Sequence, residues 1–166
     1  RKWKVLRDTA LYGFDEVALS PDGKEIWYEQ YKSFKNPATG IDENQQAIFT
    51  YNIEKDILSV KGIYDTLIGA VVIHPAEDLY AIGFSNGSIQ LRKRSNDSLL
   101  FAGKLHHDWI DGLSFTNAKP WLIAAGKDGL LKFLNYKTHQ HMVTTTLLYK
   151  DGETGFATIT PENYYL

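Results

Sequence analysis

The chain has 166 residues, a formal net charge of −2 and no cysteine, with 43% hydrophobic and 23% charged residues. This length fits about one globular domain, and the lack of cysteine excludes disulfides, thiolate metal sites and a thiol nucleophile within it. The near-neutral charge argues against a chain that mainly coats nucleic acid or acidic membranes. Neither a long apolar run nor an N-terminal leader is visible, so we expect no membrane span and no secretion.

A short pattern recurs four times along the chain: an apolar residue, a small polar residue or His, then Pro or Asn and turn residues. The apolar anchors are Leu19, Ile73, Phe115 and Ile159, which gives intervals of 54, 42 and 44 residues. Two of these intervals fit a repeating unit of about 40–45 residues. The first interval is longer because of a polar insertion at 33–46, which we predict to be a long loop.

Each unit carries the signals of strands joined by tight turns. In the second unit an apolar run at 79–84 is followed by Asn86-Gly87 and an alternating run at 89–92. The third unit repeats this order, with Asp128-Gly129 between the two runs. These dipeptides predict two-residue type I′ hairpin turns, in which both residues have a positive φ. No segment shows sustained helical periodicity, so each unit is predicted to be a four-stranded antiparallel meander.

The predicted order is a strand at 2–7, blades at about 14–62, 67–105 and 109–149, and a strand at 155–160. Four-stranded units repeated around an axis form a β-propeller. The predicted fold is therefore all-β, a propeller segment of about three antiparallel blades plus two flanking strands. The flanking strands would belong to blades that are otherwise missing. Because the chain begins at Arg1 and its single methionine is Met142, we expect it to be part of a larger propeller.

These units resemble the WD-repeat β-propeller family. In that family a His before the first strand of a blade is hydrogen-bonded to an Asp in the turn between the second and third strands. His106 and Asp128 stand in that register, 22 residues apart, so the resemblance implies a buried structural pair. Ala124 and Leu134 occupy the positions where the family network has Ser or Thr and Trp, which implies that only half of the network is present.

A second resemblance involves the C-terminal segment. Residues 160–165 are similar to the segment that closes the propeller in some bacterial proteins that also carry a caspase-like peptidase domain. This resemblance implies an alternative function, the regulatory or sensor propeller of such a peptidase. Catalysis would then reside outside these residues, since they contain no cysteine.

Two patterns could indicate catalysis or metal binding. Residues 83–87 match G-x-S-x-G, which would make Ser85 a hydrolase nucleophile. That motif requires a strand, a sharp turn and a helix, whereas the residues after Gly87 alternate as a strand, so we favour a hairpin turn over a serine hydrolase. The His pair at 139 and 141 lacks a third ligand for a catalytic zinc. We therefore predict no catalytic residue, no metal and no cofactor.

The loops between the second and third strands lie at the same end of an antiparallel unit as the linkers between units. Aromatic residues among polar ones are typical anchors of protein interfaces. We therefore predict a partner-binding face at this end, formed by Phe34, Asn36, Tyr64, His107, Asp108 and Trp109. In the second unit Tyr64 also occupies the family's His position and Asn86 the Asp position.

Our interpretation is a non-catalytic protein-interaction scaffold of a bacterial cytoplasmic protein. Its propeller loops would meet a protein or peptide partner, or another domain of the same chain. A membrane or small-molecule partner is not expected, and nucleic acid is disfavoured because the basic run at 92–94 is short. Exposed strand edges predict that the segment aggregates when it stands alone.

Overall fold

The computed structural model describes residues 17–35 and 42–162, and the side chains of 31–35, 42–44 and 150 lie outside that description. The described residues form thirteen strands in three antiparallel sheets and contain no helix. The first sheet consists of β1 (Val17–Leu19), β2 (Glu25–Lys35), β3 (Asp42–Asn52) and β4 (Ile57–Tyr64), hydrogen-bonded in that order. The strand predicted at 2–7 lies outside the described residues.

The second sheet repeats the same meander with β5 (Ile68–Ile73), β6 (Leu79–Phe84), β7 (Ser88–Lys93) and β8 (Leu99–Lys104). The third sheet has five strands: β9 (Ile110–Phe115), β10 (Trp121–Gly126), β11 (Leu130–Asn135), β12 (Gln140–Lys150) and β13 (Glu153–Ile159). Among the described residues, none forms a helix that is long and apolar enough to cross a membrane.

The three sheets pack side by side through their first strands, with β5 next to both β1 and β9. Between the first and second sheets, Trp27 and Tyr80 meet edge to face with ring centroids 4.9 Å apart. Between the second and third sheets, a core cluster combines Ala81 and Leu91 with Leu122. The second sheet is therefore apolar on both faces because it has a neighbouring sheet on each side.

The tight turns differ from the predicted type I′ geometry. Gly87 and Gly129 have φ values of 78° and 77°, but Asn86 and Asp128 do not have a positive φ. The N–H of Gly87 donates to the carbonyl of Phe84 at 3.0 Å, which is a type I turn followed by a left-handed glycine. The prediction of two-residue turns was wrong, since three residues separate β6 from β7. The side chain of Asn86 accepts from the N–H of Ser88 at 2.9 Å, and this Asx turn favours the observed geometry.

Two longer segments also differ from their predictions. The insertion at 33–46 was predicted as a loop, but most of it extends the β2–β3 hairpin, with Lys35 paired to Asp42. The strand predicted at 155–160 was assigned to a further blade, whereas β13 pairs with β12 in the third sheet, from Lys150–Glu153 to Thr144–Ile159. The Asp151-Gly152 turn, with φ values of 54° and 87°, reverses the chain there as a type I′ hairpin.

Candidate interaction face

One end of the three sheets collects the linkers between sheets and the turns between second and third strands. We call this end the linker face and define it by residues 65–67, 85–87, 105–109 and 127–129. The linkers are held by main-chain bonds: the N–H groups of Leu105 and His106 donate to the carbonyl of Gly87 at 2.9 and 3.0 Å. The N–H of Lys127 donates to the carbonyl of Trp109 at 2.8 Å. The linker between the second and third sheets is therefore fixed to turns on both sides.

The structure brings His106 and Asp128 together at this face. Nδ1 of His106 lies 2.9 Å and 3.0 Å from the two carboxylate oxygens of Asp128, and His106 is only 1% exposed. Nε2 faces the carbonyl oxygen of Ala124 at 3.2 Å, so the main chain of Ala124 takes the place of a hydroxyl partner. Both neighbours are hydrogen-bond acceptors, so each ring nitrogen of His106 faces an oxygen.

Asp128 also organises the main chain around it. Its carboxylate accepts from the N–H groups of His107 and Leu130, each at 3.2 Å. Burial raises the pKa of Asp128, but the hydrogen bonds from His106, His107 and Leu130 together outweigh it, so the pKa is lowered from its usual value of 3.8. The charged carboxylate is thus the form that the fold stabilises.

The exposed part of the linker face surrounds Trp109. His107 and Asp108 are exposed, whereas Trp109 is half-buried and its indole packs on the main chain of the second sheet. A Cβ on Gly69 would lie 2.0 Å from Nε1 of Trp109, so the ring lies against a position where only a hydrogen fits. The ammonium of Lys127 lies 4.5 Å from the ring centroid of Trp109, a cation–π contact at the surface.

The other residues predicted for this face are either buried or outside the described residues. Tyr64 was predicted to be exposed there, but it is 8% exposed and its ring packs on Phe84 with centroids 5.6 Å apart. Burial is the largest cause that raises the pKa of Tyr64. Tyr64 is buried because it alternates with Ile63 on β4 and faces the second sheet. Phe34 lies in β2 but its side chain is outside the described residues, as is the whole of Asn36.

A groove opens on the linker face between the first and second sheets, beside Tyr64. Its volume is about 310 Å³. Its polar lining comprises Asp65, Thr66, Ser88, Gln90 and Arg92. Arg92 is held by the carboxylate of Asp97 at 3.1 Å and by Gln90 at 2.8 Å, so the lining is fixed by side-chain hydrogen bonds.

Sequence reasoning missed a polar chain at the opposite end of the sheets. Nδ1 of His74 accepts from the N–H of Ala76 at 3.1 Å and of Glu77 at 2.8 Å, so its Nε2 carries the proton and donates to the Tyr136 hydroxyl at 2.9 Å. The Tyr136 hydroxyl donates to Glu77 at 3.0 Å, and Lys137 also contacts Glu77. This chain joins the second sheet to the third. The only sequence signal was the recurring His74-Pro75 position, to which no role was given.

We expect the stability of the chain to fall as the pH drops below 6.5. Burial lowers the pKa of His74 from its usual 6.5, so the folded state prefers the neutral ring and protonation favours the unfolded chain. The contribution of His74 is complete above pH 6.5 and is lost as the pH falls through the lower folded pKa. Urea unfolding between pH 5 and 8 measures it, and His74→Gln should flatten the curve.

A second histidine, His141, should also contribute to the pH dependence of stability. Its pKa is also lowered, mainly by burial, so a residual slope of the same sign should remain in His74→Gln. Equal slopes in the wild type and His74→Gln would show that His74 is not the group that responds.

The residues of the patterns that could have indicated catalysis or metal binding lie in turns and strands of the second and third sheets. Ser85 lies in the turn between two strands, β6 and β7, where a nucleophile elbow would need a helix. The ring of His139 stacks on Phe101 with centroids 4.8 Å apart, and Nε2 of His141 lies 3.0 Å from the carbonyl of Val143. Within residues 17–35 and 42–162, no three His, Asp or Glu side chains gather as a metal site.

Three meanders packed through their first strands define the class of the fold, a partial β-propeller of the WD40 type, as the sequence predicted. Solved structures of WD40 proteins superpose on nearly the whole chain. The WD40 repeats of RRP9 match with a TM-score of 0.63 and 16% identity, over 98% of this chain and 52% of that one. U3-55K matches with a TM-score of 0.61 and 16% identity, over 98% and 53%. The chain therefore spans about half the length of these two proteins.

Two further proteins are similar to this chain. The computationally designed Ika4 protein has a TM-score of 0.61 and 13% identity, covering 99% of this chain and 97% of that one. The Periodic tryptophan protein 1 homolog of Drosophila melanogaster is 32% identical over 81 residues, which is 47% of this chain and 18% of that protein. No model of a protein family matches the sequence. The expected bacterial source and the peptidase alternative gain no support from these relatives.

Proposed function

We propose that the chain is a non-catalytic interaction scaffold whose linker face receives a protein or peptide partner, or a neighbouring domain of the same chain. The observation that carries this proposal is the exposed group of His107, Asp108 and Lys127 around the half-buried Trp109. A half-buried aromatic ring surrounded by exposed polar and charged side chains is typical of an interface anchor. The cytoplasmic location expected from the sequence remains a prediction.

The main-chain bonds under this group support the proposal. The linker is fixed to Gly87 on one side and to Lys127 on the other, and Asp128 holds the N–H of His107. A partner would therefore bind a surface that is already ordered, which reduces the entropy lost on association. The adjacent polar groove of about 310 Å³ could accept side chains of an extended peptide.

Site-specific photocrosslinking tests where the partner binds. A photoreactive amino acid at His107 is expected to crosslink a defined protein, whereas the same group at Ala118, at the opposite end of the third sheet, should not. Equal crosslinking from both positions, or from Ala118 alone, would refute the proposed face. Labelling of Ser85 by a fluorophosphonate probe would refute the non-catalytic assignment.

A pair of matched lysines provides the quantitative test. Lys127 lies 4.5 Å from the ring centroid of Trp109, and Lys119 lies 4.3 Å from that of Trp121 at the other end of the sheet. With the crosslinked partner in purified form, Lys127→Glu should weaken binding by about tenfold or more. Lys119→Glu makes the same charge change beside the same kind of ring and should leave the affinity within about twofold. Titration calorimetry measures both.

A further inference from the structure

The turn between β6 and β7 contains the one asparagine of the chain that a glycine follows, Asn86-Gly87. Asparagine is a thermolabile residue, because the main-chain nitrogen of the next residue can attack the carboxamide carbon of its side chain. Glycine hinders this attack least, since it has no Cβ. Asn86 is exposed, whereas Gly87 is buried. The carboxamide is therefore open to water, and the attacking nitrogen belongs to a packed main chain.

The folded turn restrains both reacting groups. Oδ1 of Asn86 accepts from the N–H and from the hydroxyl of Ser88, at 2.9 and 2.6 Å. The N–H of Gly87 donates to the carbonyl of Phe84 at 3.0 Å. The attack needs the Gly87 nitrogen without its proton and a carboxamide that is free to close a five-membered ring. The reaction therefore proceeds when the turn opens locally and these bonds are broken.

Opening of this turn is tied to the linker between the second and third sheets. The carbonyl of Gly87 accepts from the N–H groups of Leu105 and His106 at 2.9 and 3.0 Å. A Cβ on Gly87 would lie 2.1 Å from the carbonyl oxygen of His106, so turn and linker pack main chain on main chain. A movement of Gly87 large enough to close the ring breaks both bonds to the linker.

We infer that Asn86 is a site of spontaneous deamidation whose rate is set by release of the linker from Gly87. The Gly87 nitrogen forms a bond to Cγ of Asn86, and its proton passes through solvent to the side-chain nitrogen, which leaves as ammonia. Water then opens the cyclic imide. Cleavage of the bond at Cγ gives aspartate, and cleavage at the main-chain carbonyl carbon gives isoaspartate. Either product adds one negative charge to the linker face, whether or not a partner is bound there.

The two products differ in their effect on the linker. Aspartate leaves the main chain unchanged and stands at the turn position that Asp128 has in the third sheet. There the carboxylate accepts from the N–H of Leu130 at 3.2 Å, and we expect the same bond from the N–H of Ser88. Isoaspartate adds a CH₂ group to the main chain before Gly87, where the packing has no room for a Cβ. Isoaspartate therefore releases the linker at 105–109.

Peptide mass spectrometry of the 166-residue chain during incubation at pH 8 and 37 °C tests the site. The expected result is a gain of about 1 Da at Asn86, about ten to a hundred times more slowly than in the same chain unfolded in urea. Asn96 is the matched control: its Oδ1 accepts from the N–H of Ser98 at 3.1 Å, but Asp97 follows it, so it should stay unmodified. An Asn86 that stays unmodified in the folded chain, or that reacts equally fast folded and unfolded, overturns the inference.

Two variants test whether the linker controls the rate. Asp128→Ala removes the acceptor of the His107 N–H and loosens the linker, so deamidation should be about threefold faster or more. Asp111→Ala changes a carboxylate that lies 3.7 Å from Lys127 and should react at the wild-type rate. In low urea the rate should rise less steeply than the global unfolding constant, because local opening exposes less surface. A rate that follows global unfolding at every urea concentration would show that the linker is not the gate.

Hydrogen exchange of the deamidated chains, separated by ion exchange, tests the effect of the products. Exchange at the amides of Leu105 and His106 should be about tenfold faster or more in the isoaspartate form. Asn86→Asp carries the same charge with an unchanged main chain, so its exchange at these amides should stay within about twofold of the wild type. Equal protection in the isoaspartate form and in Asn86→Asp would refute the release of the linker.

Discussion

Replacing Gly87 by alanine is expected to destabilise the chain by at least about 3 kcal/mol. Gly87 has a φ of 78°, a left-handed conformation that costs an L-residue about 1–2 kcal/mol. A Cβ there would also lie 2.1 Å from the carbonyl oxygen of His106 and 2.8 Å from that of Asp108. Both obstacles are main chain, so the linker must move, and the bonds that Leu105 and His106 donate to Gly87 are lost with it.

Gly129 is the matched control because it is the same turn position in the third sheet. Its φ is 77°, and a Cβ on it would meet no atom within 4 Å. Gly129→Ala should therefore lower the free energy of unfolding by only about 1 kcal/mol, because only the backbone conformation is unfavourable there. Urea unfolding of both variants at the same protein concentration measures the difference. Equal losses in the two variants would show that the linker does not pack on Gly87.

The strand pattern was predictable because it depends on local alternation. The runs around Asn86-Gly87 and Asp128-Gly129 appear as β6–β7 and β10–β11, with the turn residues between them. The turn type was not predictable from the dipeptide alone. It depends on whether Asn86 bonds to the N–H of Ser88, and that bond competes with the geometry in which both residues have a positive φ.

The two errors in chain organisation have a common cause. The segment at 33–46 is polar and contains Pro37 and Gly40, which favours a loop when each residue is considered alone. The sequence at 155–160 has the same pattern as the first strands of the other units. In both cases pairing with a neighbouring strand, β2 with β3 and β12 with β13, decides the conformation. Periodicity identifies strands but does not identify their partners.

The candidate site, like the fold, was predicted only in part from the sequence. The resemblance to the WD-repeat family implied that His106 and Asp128 pair, and Nδ1 of His106 lies 2.9 Å from the carboxylate of Asp128. Tyr64 was predicted on the surface because its position lies at a linker, yet it packs on Phe84 of the second sheet. The bond from His74 to Tyr136 joins residues 62 positions apart in different sheets. Contacts of that kind arise from how the sheets pack. The sequence near each of the two residues therefore gives no signal of them.

Removing the carboxylate of Asp128 is expected to lower the free energy of unfolding by about 3 kcal/mol, since a buried donor that is left without its acceptor costs about 1–3 kcal/mol. In Asp128→Ala, Nδ1 of His106 and the N–H groups of His107 and Leu130 lose their acceptor together. Asp111→Ala is the control: this carboxylate is about half exposed and 3.7 Å from Lys127, and such surface pairs contribute about 0–1 kcal/mol. Urea unfolding at pH 7 measures both.

The pH dependence of the same pair gives a second readout for Asp128. Its folded pKa is lower than its usual value of 3.8, so the carboxylate contributes its full stability above pH 3.8 and loses it as the pH falls through the folded pKa. The difference in the free energy of unfolding between the wild type and Asp128→Ala should therefore shrink as the pH falls below 3.8. A gap no larger than that of Asp111→Ala at pH 7 would mean that the His106–Asp128 pair does not hold the third sheet to its linker.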